Sequence, residues 1–170
     1  MIEKTKNCVL DFYPDSKVIY GDTDSVMVKF RLPEEVMDDK TKMITEAMKL
    51  GKEAAGKISE KFQKPIKLEF EKVYCPYLLI TKKRYAGVYY TKADKPDKID
   101  KKGLETVRRD NCLLIREMLE KIINLILWEN DKNEAIRYIK NIVSDLFQNK
   151  IDISKLVISK ALTKKAAGDD

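Results

Sequence analysis

Two carboxylates and two hydroxyls crowd one short segment of this 170-residue chain, GDTDS at residues 21–25. The triplets on either side, VIY and VMV, are typical of β-strands, so the segment is predicted to be the turn of a hairpin. Its carboxylates, Asp22 and Asp24, would repel each other within a few ångströms unless a cation lay beside them. A divalent metal is the usual cation, and the turn is therefore a candidate metal site.

A purely structural turn is the alternative. Asp, Thr, Ser and Gly are ordinary turn residues, because their short side chains hydrogen-bond the local backbone and Gly accepts positive φ. The flanking runs are nearly continuous and apolar, which predicts strands buried on both faces or on one strongly packed face. Buried strands would present the turn rigidly, and this favours the metal site.

The composition limits the chemistry that such a site could perform. The chain has no histidine, which excludes Ser-His and Cys-His nucleophile pairs and removes the commonest transition-metal ligand. Cys8, Cys75 and Cys112 are widely spaced, so neither a disulfide framework nor a zinc site is indicated. A metal bound here is expected to be a hard, oxygen-bound ion, namely Mg²⁺, Mn²⁺ or Ca²⁺.

A second candidate site is basic and aromatic. The net charge is +6, and the basic excess lies in residues 81–109, which open with TKKRYAGVYYTK. Cations interleaved with aromatics suit a phosphate backbone and the faces of sugars or bases. A solvated, lysine-rich strand and loop is the alternative. The candidate nucleic-acid-binding residues are Lys82, Lys83, Arg84, Tyr85, Arg108 and Arg109.

An α+β arrangement is predicted to position these clusters. Residues 38–62 carry a helical stripe of apolar and small side chains, on which Gly51 would allow close packing on a sheet. Residues 66–74 and 77–90 are predicted to be strands, and residues 94–103 a charged loop. Residues 1–16 show no clear core pattern.

The last third of the chain has a helical pattern. One apolar helix is predicted from a cap at Asp110 or Asn111 to about Trp128, and another over residues 133–147. The apolar face of the second helix is formed by Ile136, Ile139, Val143 and Leu146. An α+β layer is therefore expected over residues 1–103, followed by a helical subdomain over residues 104–170.

The hydropathy pattern bears on location. The chain is 44% apolar and 36% charged, which is typical of a globular protein. No apolar run approaches the roughly 20 residues of a membrane span, and no leader pattern is present. We expect a soluble, intracellular chain without a membrane partner.

Four strings in a fixed order carry a family resemblance. They are YGDTDS, KLEFEKVY, PYLLITKKRYAGVYY and GLETVRRDNC. With them the chain resembles the family B DNA polymerases from about Val18 to about Lys160, and within that family it is most similar to the delta-type replicative enzymes of eukaryotes.

The resemblance implies a fold and a reaction. The fold would be an antiparallel palm sheet with a hairpin and a packed helix over residues 1–103, followed by the start of a helical thumb over residues 104–170. The reaction would be two-metal nucleotidyl transfer with Mg²⁺, in which Asp24 is a direct metal ligand and Asp22 a supporting carboxylate. KKRY would grip the primer-template. The partners implied are DNA, dNTP, accessory polymerase subunits and a sliding clamp, and the location implied is the nucleus.

Two further carboxylates are candidates for the metal site. Glu69 and Glu71 lie two apart in the strand predicted over residues 66–74, so they would share one face and could place a carboxylate near the metal site. Salt bridges to Lys67 or Lys72 are the alternative.

The resemblance also leaves gaps. The family's upstream aspartate motif, of the DFNSLYPS type, and its fingers lysine have no matching string here. The chain is therefore interpreted as part of a polymerase that is inactive by itself. The alternative is a non-catalytic nucleic-acid-binding module whose acidic turn is structural. A palm-fold cyclase or hydrolase is a weaker alternative, because only Glu69 and Glu71 could supply its second metal carboxylate.

Overall fold

The computed structural model describes residues 2–106 and 110–159. Within these residues, helices and two antiparallel sheets confirm the predicted α+β class. The α-helices are α1 (Ile2–Phe12), α2 (Lys40–Ser59), α3 (Leu113–Leu127) and α4 (Lys132–Phe147). The strands are β1 (Lys17–Asp22), β2 (Ser25–Lys29), β3 (Val73–Thr81), β4 (Arg84–Tyr90) and β5 (Lys98–Lys102). Short 3₁₀ helices occupy Glu34–Val36 and Ile153–Leu156.

The chain divides into two compact units. One falls within Met1–Lys83 and Gly87–Asp100, and the other within Arg84–Ala86 and Lys101–Asp170. Compactness alone does not assign the units to a palm and a thumb. The division predicted between residues 103 and 104 stays a prediction.

Helix α2 forms where the apolar stripe predicted it. The carboxylate of Asp39 caps its N-terminus by accepting hydrogen bonds from the backbone N–H groups of Thr41, at 2.8 Å, and Lys42, at 3.3 Å. This satisfies donors that have no partner inside the helix. The buried side chains of the stripe are those of Ile44, Met48, Ala54 and Ile58.

Helix α1 was not predicted, and the expectation of no core pattern in residues 1–16 is wrong. Its Val9 is only 2% exposed and packs with Ala54 and Ile58 in the core of the first unit. Half-buried Val18 and Val28 of the hairpin pack against this cluster. An 11-residue helix with buried residues only at two positions four apart offers too few turns for a clear stripe.

Strands β1 and β2 form the predicted antiparallel hairpin. The two-residue turn Thr23-Asp24 joins them, and a register shift lies between Val18 and Tyr20. Their apolar residues are half-buried, so burial on both faces is wrong, whereas the alternative of one packed face agrees with the packing of Val18 and Val28 against the core. The reason is that α1 packs against this two-stranded sheet, while no third strand pairs with it among the residues described.

The second sheet has the order β3-β4-β5 and departs from the predicted strands. Residues 66–72 are not a strand. At Leu68 the backbone N–H donates to the Ser59 hydroxyl at 2.8 Å, and this hydroxyl lies 2.6 Å from the Ala55 carbonyl and 3.1 Å from the Leu68 carbonyl. The close packing at Gly51 is against Phe70 of this segment, since an added Cβ would lie 2.6 Å from the ring. The predicted loop over residues 94–103 contains β5.

The helices of the second unit match the predicted pair. Helix α3 begins after Cys112, which gives no side-chain cap, so the cap predicted at Asp110 or Asn111 is wrong. Helix α4 is capped by Asp131, whose carboxylate accepts from the backbone N–H of Glu134 at 2.9 Å. No helix in residues 2–106 and 110–159 is long and apolar enough to cross a membrane.

Candidate metal and nucleic-acid site

The two aspartates of the acidic turn lie at the tip of the β1–β2 hairpin. Asp22 is the last residue of β1, where it pairs with Ser25, and Asp24 is the second residue of the turn. Asp24 is exposed to solvent, whereas the Asp22 side chain is 29% exposed. Gly21 has no side chain at the point where an added Cβ would lie 3.2 Å from Ile2 of α1. This close approach lets α1 support the base of the tip.

Local hydrogen bonds fix the Asp22 carboxylate. Its Oδ1 accepts from the backbone N–H of Thr23 at 3.0 Å and from the Thr23 hydroxyl at 3.3 Å, and its Oδ2 accepts from the Tyr20 hydroxyl at 3.1 Å. Partial desolvation raises the pKa of Asp22, but these hydrogen bonds and the charge of Lys83 outweigh it and hold the pKa below its ordinary value. The carboxylate is therefore ionised at neutral pH, as a metal ligand must be.

The basic motif supplies a second turn, and it touches the first. Lys82 and Lys83 form the two-residue connection between β3 and β4. The backbone N–H of Lys83 donates to the Tyr20 hydroxyl at 2.9 Å. The Lys83 ammonium lies 3.7 Å from Asp22 Oδ1. The structure thus brings together one cation of the basic motif and one carboxylate of the acidic motif.

The rest of the basic motif has other surroundings. Lys82 is exposed, and Tyr85 is half-buried. Arg84 forms a short ion pair with Glu105 in the second unit. Arg108 and Arg109 lie outside the described residues. Among the described residues of the motif, Lys83 is thus the one for which the structure gives contacts to the acidic hairpin.

Glu69 and Glu71 do not lie on a strand, so the premise that they share a strand face is wrong. Their side chains are 71% and 75% exposed. Glu69 pairs with Lys67 at 2.5 Å, and Glu71 pairs with Lys72 at 3.1 Å. The hydrogen bond and charge of Lys67 lower the pKa of Glu69. These are the ion pairs that were the alternative to a metal role.

The donor chemistry of the tip fits a hard cation in part. Asp22 and Asp24 offer the carboxylate oxygens that Mg²⁺ and Mn²⁺ prefer. Across residues 2–106 and 110–159, however, no three acidic, cysteine or histidine side chains lie together as a metal-binding group. Two carboxylates would leave most of an octahedral shell to water, substrate or donors from elsewhere.

The sequence does not predict the polar contacts of Tyr20 and of Lys72. The sequence analysis predicts Tyr20 only as part of a strand, although a tyrosine hydroxyl commonly has a hydrogen-bond partner. Lys72 packs over the Tyr89 ring, 4.8 Å from its centroid, and pairs with Asp100 at 3.1 Å. The Tyr74 hydroxyl donates to the same carboxylate at 2.7 Å. No feature of the sequence linked Asp100 to Lys72.

The sequence matches a known protein family and several of its members. The family described as DNA polymerase family B matches over residues 2–168. The DNA polymerase delta catalytic subunit of Candida albicans is 54% identical over 171 residues, which cover 96% of this chain and 16% of that protein. The corresponding subunits of Plasmodium falciparum and Schizosaccharomyces pombe are 55% and 53% identical, each over 96% of this chain and 15% of the relative. The chain thus spans only 15–16% of the length of these curated relatives.

Proposed function

Because the chain belongs to DNA polymerase family B, we propose that it is part of the catalytic subunit of a replicative, delta-type DNA polymerase. In this proposal residues 1–103 belong to the palm and residues 104–170 to the start of the thumb. The complete enzyme would extend a primer on a DNA template with dNTPs in the nucleus. Accessory subunits and a sliding clamp would be its partners.

One observation supports this function above the others. The tip of the acidic hairpin and the turn of the basic motif are in contact, with Lys83 Nζ 3.7 Å from Asp22 Oδ1. A nucleotidyl-transfer site needs carboxylates for metal and cations for the DNA backbone within reach of the same primer end. The contact brings both kinds of group to one place, as such a site requires.

The residues of the tip would divide the work. Asp24 is exposed at the turn and would be the direct metal ligand, and Asp22 would support it from the strand end, where hydrogen bonds hold its carboxylate in place. Bound Mg²⁺ would supply activation of the primer 3′-hydroxyl and neutralisation of the triphosphate. The 170-residue chain alone is expected to extend no primer, because the upstream carboxylate motif is not in it.

The basic motif would hold the primer-template. Lys82 and Lys83 are exposed at their turn and could reach phosphates. Tyr85 would contact sugar or base, and Arg84 would act from its ion pair with Glu105. Arg108 and Arg109 are proposed as further phosphate contacts from the sequence alone. Such contacts position DNA without reading its sequence.

The test is primer extension by the complete polymerase with Asp24→Ala. We expect extension to be abolished while primer-template affinity stays within severalfold, since DNA is held mainly by phosphate contacts elsewhere. Asp94→Ala is the matched control, because Asp94 is an exposed aspartate in the same unit and outside both turns. Extension by Asp24→Ala at the control rate would contradict the proposed function.

A further inference from the structure

We propose that Tyr20 is a positioning residue whose hydroxyl ties the turn at Lys82-Lys83 to the Asp22 carboxylate, so that the two turns behave as one body. The inference rests on the proposed function and adds to it a residue that touches neither metal nor DNA. Tyr20 would act through its two neighbours.

The Tyr20 hydroxyl makes one hydrogen bond to each of the two turns. It donates to Asp22 Oδ2 at 3.1 Å and accepts from the Lys83 backbone N–H at 2.9 Å. The second bond joins residues 63 positions apart in the chain. A phenol has one proton to give, so the bond to Asp22 uses its whole donor capacity.

The backbone of Lys83 adopts an uncommon conformation at this turn. Its φ of 64° lies in the left-handed region, which favours glycine and costs a residue with a side chain. The conformation brings the Lys83 N–H to Tyr20. The Lys83 ammonium lies 3.7 Å from Asp22 Oδ1. Tyr20, Asp22 and Lys83 therefore contact one another pairwise.

The hydrogen bonds of the Tyr20 hydroxyl fix the orientation of the two turns more firmly than the ion pair between Lys83 and Asp22 does. The Lys83 side chain is 66% exposed, and ion pairs at such exposed positions are screened and contribute little. Hydrogen bonds at 2.9 and 3.1 Å have a preferred direction and fix orientation. Loss of the hydroxyl would therefore remove the hydrogen bonds that join the basic turn to the acidic tip. It would not remove any positive charge from the basic motif.

This separation predicts a specific kinetic effect. DNA grip depends on the cations and should be unchanged without the hydroxyl. The hydroxyl makes one of the three hydrogen bonds that orient the Asp22 carboxylate and the only one of them to Oδ2, so the rate of nucleotide addition and the Mg²⁺ concentration that it requires should change. A residue with only a general structural role would alter DNA affinity and the fraction of competent enzyme as well.

The experiment compares Tyr20→Phe with Tyr13→Phe in the complete polymerase. Tyr13 is the matched control, because its hydroxyl also donates to a carboxylate, that of Glu53 at 3.2 Å, in the same unit. With rates corrected by active-site titration, Tyr20→Phe should lower the maximal rate about three- to tenfold, the value of one hydrogen bond. It should also raise the Mg²⁺ concentration for half-maximal rate. Its primer-template Kd and salt slope should match wild type, and Tyr13→Phe should match wild type throughout.

Hydrogen exchange tests the contact itself. In Tyr20→Phe, the amide of Lys83 should exchange faster, read from the peptide that spans residues 81–85, whereas Tyr13→Phe should leave it unchanged. A Tyr20→Phe enzyme with wild-type rate and wild-type Mg²⁺ demand would overturn the inference. So would an equal loss in both tyrosine variants.

Asp24→Ala separates this inference from the proposed function. If Asp24→Ala abolishes extension while Tyr20→Phe behaves as wild type, the inference about Tyr20 is wrong and the proposed metal role of Asp24 is retained. If extension survives Asp24→Ala, the proposed metal role of the acidic hairpin is wrong, and the inference about Tyr20, which depends on it, is wrong as well.

Discussion

The acidic hairpin of the first unit and helix α4 of the second differ in how their surfaces are partnered. At the hairpin tip, Asp22 has three hydrogen bonds and a cation nearby, and the apolar residues behind it pack against a buried cluster. On α4, the only buried residue is Ala135, and Ile136 is 52% exposed. The large apolar side chains that are exposed on this helix are those of Ile136, Ile139, Val143, Leu146 and Phe147.

The difference shows which regions of the chain are held by contacts within the chain itself. The geometry of the hairpin site is set by contacts made within the first unit. The apolar face of α4 has no comparable cover among the residues that the structure describes. The two regions should therefore respond differently to the same substitution, and to changes at their charged residues.

The largest difference is expected in stability. Ile58→Ala removes a side chain that is 2% exposed in the core of the first unit, and should lower the free energy of unfolding by about 2–5 kcal/mol. Ile136→Ala makes the identical change on α4, where it should alter that free energy by no more than about 0.5 kcal/mol. Urea unfolding of the 170-residue chain, followed by circular dichroism, measures both. Equal losses would show that α4 is packed as tightly as the core.

A smaller difference is expected in DNA binding by the complete polymerase. Each phosphate-bound cation contributes about 0.9 to the slope of log K against log salt, so Lys82→Ala with Lys83→Ala should flatten the slope by about two units. Affinity should fall equally for all DNA sequences. Replacing two exposed lysines of α4, Lys132 and Lys140, is the matched control and should leave the slope unchanged.

Tyr85→Ala sharpens that measurement. It should weaken binding with little change in slope, because an aromatic side chain neutralises no charge. Fluorescence anisotropy at several salt concentrations gives the affinity and the slope together. A double lysine variant with wild-type affinity and slope would show that KKRY is a solvated turn. Its lysines would then contribute no more to DNA binding than those of α4.

The hairpin and the main helices could be predicted from the sequence because their signals are local. A polar turn between β-formers predicts a hairpin whatever packs on it, and an apolar stripe with Asp39 before it predicts α2. The family could be recognised for the same reason, since YGDTDS and KKRY are contiguous strings.

The remaining features depend on residues far apart in the chain. Residues 66–72 have the composition of a strand, yet no strand forms there, and the Leu68 N–H donates to the Ser59 hydroxyl. Tyr20 gains its place from Lys83, 63 positions away. Both features depend on tertiary contacts, which a single sequence does not display.

The central claim is that metal binds at the acidic hairpin tip, and metal-directed cleavage tests it most directly. In the complete polymerase with primer-template and dNTP, Fe²⁺ replaces Mg²⁺, and ascorbate with peroxide then cuts the backbone next to the bound ion. We predict cuts within residues 20–26 that require dNTP, compete with Mg²⁺ and disappear in Asp24→Ala. Cuts confined to other parts of the enzyme, with residues 20–26 intact, would contradict the claim.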